Sequence, residues 1–203
     1  GCGHGGALLC NSADPKLVRR LEQILNRGTD FADKLAGRVP YYQWVSQGSH
    51  LRPGELEAAV IAAQLDELPS NLAKRGEIAQ VYAAHLADAA NPWRFVAGNT
   101  VAGSNHHIFG LLAQTPDIAA RLLREAGKAG IRVETHYAPL HVSPFAKDAG
   151  LDRPDCPGGA SVWSKLVRLP VHTSMNSADA VRVTDFLTGF AGELEKCGRA
   201  LQH

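Results

Sequence analysis

The 203-residue chain is 45% hydrophobic and 20% charged, the profile of an ordinary globular protein long enough to bury a full core. Its formal net charge of +1 offers no bulk attraction to nucleic acid or an anionic membrane, and no apolar run approaches the roughly 18 residues of a membrane span. Gly1–Asn11 has no basic stretch ahead of its short apolar run, so it does not read as a signal peptide; the scattered Cys2, Cys10, Cys156 and Cys197 form no CxxC pair and read as reduced thiols of a cytoplasmic protein.

In chain order, a glycine turn over 1–6 leads into an expected short strand, Ala7–Cys10. Asn11 to Pro15 supply cap residues and a proline at a helix start, and Leu17, Val18, Leu21, Ile24 and Leu25 follow at helical spacing until Gly28 stops the helix. Residues 28–53 are polar and aromatic and read as a long ordered connection, a length that is uncommon without a function. The alanine-rich GELEAAVIAAQLDEL from Gly54 reads as a buried, closely packed helix. Pro69-Ser70-Asn71 breaks it ahead of a second helix over about 71–88, with Ile78, Val81, Tyr82 and Leu86 on one face.

Asn91-Pro92 and Gly98-Asn99 mark loops, and an α/β alternation follows. His107–Ala113 suits a strand, Thr115-Pro116 caps a helix over about 116–129, and Ile131–Thr135 suits a second strand. Residues 138–158, which hold Pro139, Pro144, Pro154 and Pro157, read as an irregular loop. A short helix over about 159–166, a strand Val167–Leu169 and a last helix over about 177–195 complete the pattern. The alternation over 105–195 implies a small α/β or α+β domain with long helices packed beside it. The opening strand has no partner nearby in sequence, and a lone strand leaves its backbone groups unpaired.

Several local patterns exclude themselves. The glycines of 1–6 are followed by no Gly-Lys-Ser/Thr, which argues against a nucleotide-phosphate loop. His136 and His141 stand five apart in a proline-containing segment, not at the i,i+4 spacing of a helical zinc pair, so no metal site is expected. His107 is expected as a satisfied structural histidine at the start of its strand. Tyr42 and Trp44 are expected to pack the long connection. No serine or cysteine stands in a hydrolase arrangement, and Asp66/Glu67 and Glu193/Glu195 read as solvated helix faces.

Six segments taken together carry more: GHGGALLCN (3–11), NRGTDF (26–31), GRVPYYQWVSQGSHLRPGELEAAVIAAQL (37–65), NHHIF (105–109), HYAPLH (136–141) and LVRLPVH (166–172). In this order and spacing they resemble the fold type I, pyridoxal-phosphate (PLP)-dependent sugar-nucleotide aminotransferases, most of all the branch acting on dTDP-4-keto-6-deoxyglucose. The resemblance implies an α/β fold: the C-terminal portion of such a transferase, with 1–53 the end of the large cofactor domain and its connection, and 54–203 a helical linker and the small domain. It places Ser49, His50 and Arg52 at the phosphate of the cofactor, with His50 where the family has Asn or Ser. His141, with His136, falls at the substrate rim.

The cofactor lysine of that family stands just before the turn matching Gly3–Gly6, where this sequence has His4 in place of a usual glutamate. None of Lys16, Lys34, Lys74, Lys128, Lys147, Lys165 and Lys196 matches that lysine. The resemblance therefore implies no catalytic residue among these 203 and no activity for them alone. Catalysis would require a partner, in a homodimer or a complementary lysine-bearing N-terminal chain, and a nucleotide-sugar substrate. The alternative is a non-catalytic remnant or interaction module.

Overall fold

The computed structural model describes residues 6–87, 93–151 and 156–200. The chain divides into two units, Gly1–Leu68 and Pro69–His203. The opening turn falls mostly outside the described residues.

In the first unit, residues 6–10 lie exposed and form no strand, a correction to the expected Ala7–Cys10 strand. The apolar run is there, but no described neighbour supplies the hydrogen bonds a strand needs. Helix α1, Pro15–Leu25, starts as its sequence dictates: the Asp14 carboxylate accepts from the Lys16 amide and proline occupies the first turn. The stretch read as a connection holds a short helix, α2, Phe31–Leu35, and two antiparallel bridges, Asn26↔His50 and Thr29↔Trp44. Helix α3, Glu55–Asp66, has no buried residue, which corrects the expectation of a packed core helix. Its alanines raise helix propensity, but they cannot specify which surface covers the helix.

The second unit opens with α4, Leu68–Leu86, in which Pro69 lies in the first turn, where a missing N–H does no harm. There follow β1, Arg94–Phe95; β2, Phe109–Leu112; α5, Pro116–Lys128; β3, Glu134–Thr135; α6, Pro144–Asp148; α7, Pro157–Trp163; β4, Leu166–Leu169; and α8, Ser177–Ala200. Strand β1 has no counterpart in the sequence reading. At two residues it is too short to show an alternation. The expected irregular loop contains α6, a 3-10 turn at Leu140–Val142 and the start of α7, each helix with a proline in its first turn. Those prolines, read as breakers, initiate helices instead.

The sheet runs β1-β2-β4-β3 with every pairing antiparallel. Phe109 opposes Leu169 and Leu111 opposes Val167, and all four point into one core with Ile78 and Tyr82 of α4, Leu122 of α5, and Val183 and Leu187 of α8. Tyr82 is fully buried, meets Phe109 edge-on at 5.0 Å between ring centroids, and donates its hydroxyl proton to the Pro170 carbonyl at 2.8 Å. Burial, reinforced by the charge of Asp179, pushes that hydroxyl far above the usual tyrosine range, so it remains a donor at any working pH.

The buried Asn99 extends the β1 edge of β2. Its Nδ2 donates to the Gly110 carbonyl at 2.7 Å and its Oδ1 accepts from the Gly110 amide at 2.9 Å, which imitates a strand neighbour. Asn99→Ala strips the buried Gly110 amide of this partner and should cost about 1–3 kcal/mol. The loss is read as a lower urea midpoint at unchanged m-value.

Candidate functional site

Two consecutive left-handed residues, Arg27 (φ 64°) and Gly28 (φ 80°), end α1 in a sharp reversal. The Gly28 carbonyl accepts from the amides of Val45 and Ser46 at 2.9 and 3.0 Å, and the Arg27 amide donates to the Ser49 carbonyl at 3.1 Å. The approach is so close that a Cβ on Gly28 would collide with the Ser46 carbonyl oxygen, and one on Gly48 with the Gly28 amide nitrogen. Glycine is therefore required on both sides of the contact.

This closure walls off a cavity of about 240 Å³ lined by Arg27, Phe31, Tyr42, Trp44, His50 and Arg52, among others. Two guanidinium groups and an imidazole share it with three aromatic rings, and among the described residues its lining contains no acid and no lysine. The Arg27 guanidinium donates to His50 Nε2 at 3.0 Å. An accepting Nε2 leaves the imidazole proton on Nδ1. Arg52 lies over the Phe31 ring, 5.8 Å from its centroid, and Phe31 meets Tyr42 edge-on at 5.4 Å. Lys34 lies over the other partner of that pair, 5.8 Å from the Tyr42 centroid.

Of the three residues assigned to a phosphate from sequence, His50 and Arg52 line the cavity, and Ser49 supports it through its backbone, donating to the Ile24 carbonyl at 3.0 Å. Arg27 was not singled out. Its signal was the Arg-Gly pair that closes α1, but nothing local shows that the reversal points the arginine at His50.

Asp33 fixes α2 beneath this cavity's wall. Its covered carboxylate accepts from Arg38 at 2.7 Å and from Arg19 at 2.6 Å. The Arg38 hydrogen bond above all, and then Arg19, hold the carboxyl below its ordinary value against an opposing desolvation. A depressed folded-state pKa stabilises the fold above the unfolded carboxylate range, and that contribution is lost as pH falls through the folded value. Acid unfolding of the first unit, followed through Trp44, should therefore lose part of its pH dependence in Asp33→Asn.

His136 and His141 lie in the second unit, both close to α7. Trp163 Nε1 donates to the His136 carbonyl at 2.9 Å, and a Cβ on Gly159 would sit 3.7 Å from His141 Cε1. His141 occupies the 3-10 turn and is half-buried. His107, expected to open β2, stands outside that strand, because His106 before it adopts a left-handed φ of 46°. It is exposed and pairs through Nδ1 with Asn105 Oδ1 at 2.7 Å. Among the described residues no three metal-ligating side chains gather, and no helix is long and apolar enough to cross a membrane.

Comparison with known proteins places these features in context. A model of the family described as DegT/DnrJ/EryC1/StrS aminotransferases matches residues 1–188. The erythromycin biosynthesis sensory transduction protein EryC1 of Saccharopolyspora erythraea is 31% identical over 90% of this chain and 46% of its own length. The dTDP-3-amino-3,4,6-trideoxy-alpha-D-glucose transaminase of Streptomyces venezuelae is 25% identical over 97% of this chain and 48% of its own. An aminotransferase structure from Psychrobacter cryohalolentis superposes with a TM-score of 0.76 at 17% identity, covering 91% of this chain and 51% of that one, which speaks for the fold alone. The chain thus spans about half the length of the relatives it matches.

Proposed function

Because the chain belongs to the DegT/DnrJ/EryC1/StrS aminotransferase family, we propose that it is the phosphate-anchoring and small-domain portion of a PLP-dependent transaminase acting on a TDP-4-keto-6-deoxyhexose in the cytoplasm. The observation that carries this reading is the acid-free cavity of Arg27, His50 and Arg52. The residues fit the phosphate end of the cofactor: Arg52 supplies a planar, permanently charged donor set and the His50 ring an N–H donor. Phe31, Tyr42 and Trp44 line the cavity with aromatic rings. Ser49 contributes through the backbone bond that keeps His50 in place.

When bound, PLP supplies the electron sink that amino-group transfer requires. These residues would bind and orient it. The covalent lysine would come from the part of the family fold that these 203 residues do not span, and His136 and His141 would meet the sugar-nucleotide substrate. Assembly draws support from the apolar exposure of the first unit, where Leu9 is 94%, Leu56 83% and Trp44 72% accessible. The same exposure favours the second reading, a non-catalytic interaction module.

Mixing the chain with PLP, with and without a lysine-bearing half from a relative, separates the two. The proposal expects a visible cofactor band and keto-sugar amination only in the complete mixture, with His50→Ala/Arg52→Ala requiring at least tenfold more PLP. Partner binding with neither signal establishes the interaction module. A reducible attachment of PLP to one of the chain's own lysines, with turnover, overturns the division of labour.

A further inference from the structure

The second face of the four-stranded sheet carries a cluster that neither the core nor the cavity at Arg52 uses. Alternation along β4 sends Val167 and Leu169 into the core and leaves Leu166 and Arg168 on the opposite face. Arg168 is held there from several directions. Its Nε donates to the Thr135 carbonyl at 3.0 Å, one terminal nitrogen donates to Glu134 at 3.2 Å, and the guanidinium lies 5.6 Å from the Tyr137 ring centroid. Only 21% of the side chain is accessible.

A guanidinium has five N–H donors, and two of them serve β3. Arg168 lines three hollows; the one bounded by the 96–110 segment, His136 and β4 measures about 260 Å³ and is also lined by Ser104, Asn105 and His107. Glu134 does not neutralise the cluster, because it also accepts from Arg132 at 2.7 Å, so two guanidinium groups share one carboxylate. Asn105 spends its Oδ1 on the His107 amide and ring, which leaves its NH₂ as a donor. Among the described residues, His136 Nδ1 is buried with no hydrogen-bond partner.

We propose that this hollow binds an oxyanion, a carboxylate or a phosphate, with Arg168 as its anchor. The guanidinium is fixed in advance by β3 and Tyr137, so little conformational freedom is lost on binding, and its planar fork matches two oxygens at once. Assigning the oxyanion to a substrate rests on the sugar-aminotransferase reading: it is then the carboxylate of the amino donor or the diphosphate of the nucleotide sugar. The binding itself needs no cofactor.

The test is an amide and guanidinium NMR titration of the full chain without PLP, at constant ionic strength, with sodium glutamate and separately with pyrophosphate. The same titrations in Arg52→Gln remove competition from the other cavity. Saturable shifts are expected at Ser104, Asn105, His107 and the Arg168 Nε–H, with at least tenfold weaker binding in Arg168→Gln. Arg168→Lys, which keeps the charge and loses the fork, guards against a folding artefact and should bind at least threefold more weakly. Saturation by glutamate alone assigns the amino donor, and saturation by pyrophosphate alone assigns the nucleotide diphosphate. No saturable shift with either anion, or Arg168→Gln binding as well as the native chain, overturns the site. Because PLP is absent throughout, failure here is distinct from failure of the cofactor cavity.

Discussion

Gly28→Ala should destabilise the first unit by about 3 kcal/mol or more, among the largest effects of a single methyl group in this chain. Two penalties coincide at this position. The backbone sits at φ 80°, which costs an L-residue roughly 1–2 kcal/mol. The added Cβ also meets the Ser46 carbonyl oxygen with no side chain to swing aside, so the 45–49 segment must retreat. That segment carries the acceptors and donors that place Ser49 and His50, so the Arg27–His50 hydrogen bond should be lost together with stability. Gly37→Ala provides the control: its φ is 70°, yet nothing lies within 4 Å of the new Cβ. It should cost only the conformational term, about 1 kcal/mol. Urea unfolding followed through the Trp44 indole resonance measures both. Equal effects at the two glycines would show that the close approach between the Gly28 and Gly48 segments does not exist in solution.

Leu187→Ala should cost about 2–5 kcal/mol in the second unit, through lost transfer energy and the void left behind. Leu187 is fully buried in the cluster where α8 meets β2, β4 and α5, and so dense a packing relaxes only partly around a missing isobutyl group. Leu56→Ala on α3 makes the same chemical change at an 83% accessible site and should stay within about 0.5 kcal/mol in the isolated chain. Thermal and urea unfolding of the two variants compare them directly. If the lysine-bearing half of a relative covers α3, Leu56→Ala should become costly only in the mixture.

Much of the fold is local in origin and could be read without coordinates. The Asp14–Pro15 start of α1 and the Thr115–Pro116 start of α5 follow from which side chains can accept a helix's free amides. The face of α4 that buries Ile78, Tyr82 and Leu86 follows from helical spacing, as do Val167 and Leu169 from strand alternation. The family was legible too, because six short segments in fixed order do not depend on packing detail. Two of the misreadings share one cause: Ala7–Cys10 and α3 are apolar, and apolar character shows that a segment favours burial without naming what buries it.

The candidate sites divide in the same way. His50, Arg52, His136 and His141 are candidates by motif, since each sits in a recognisable string. Arg27 and Arg168 were not, because their roles arise from partners distant in sequence: Arg27 from the reversal that sets it against His50, and Arg168 from the β3–β4 register that pairs it with Glu134 and Thr135. Sequence by itself determined helix starts, core faces and ancestry, all of which rest on neighbours within a few residues or on short strings of residue types in fixed order. The tertiary structure alone decided which charged groups converge and which apolar surfaces stay open, because convergence depends on backbone reversals and strand register that no local pattern encodes.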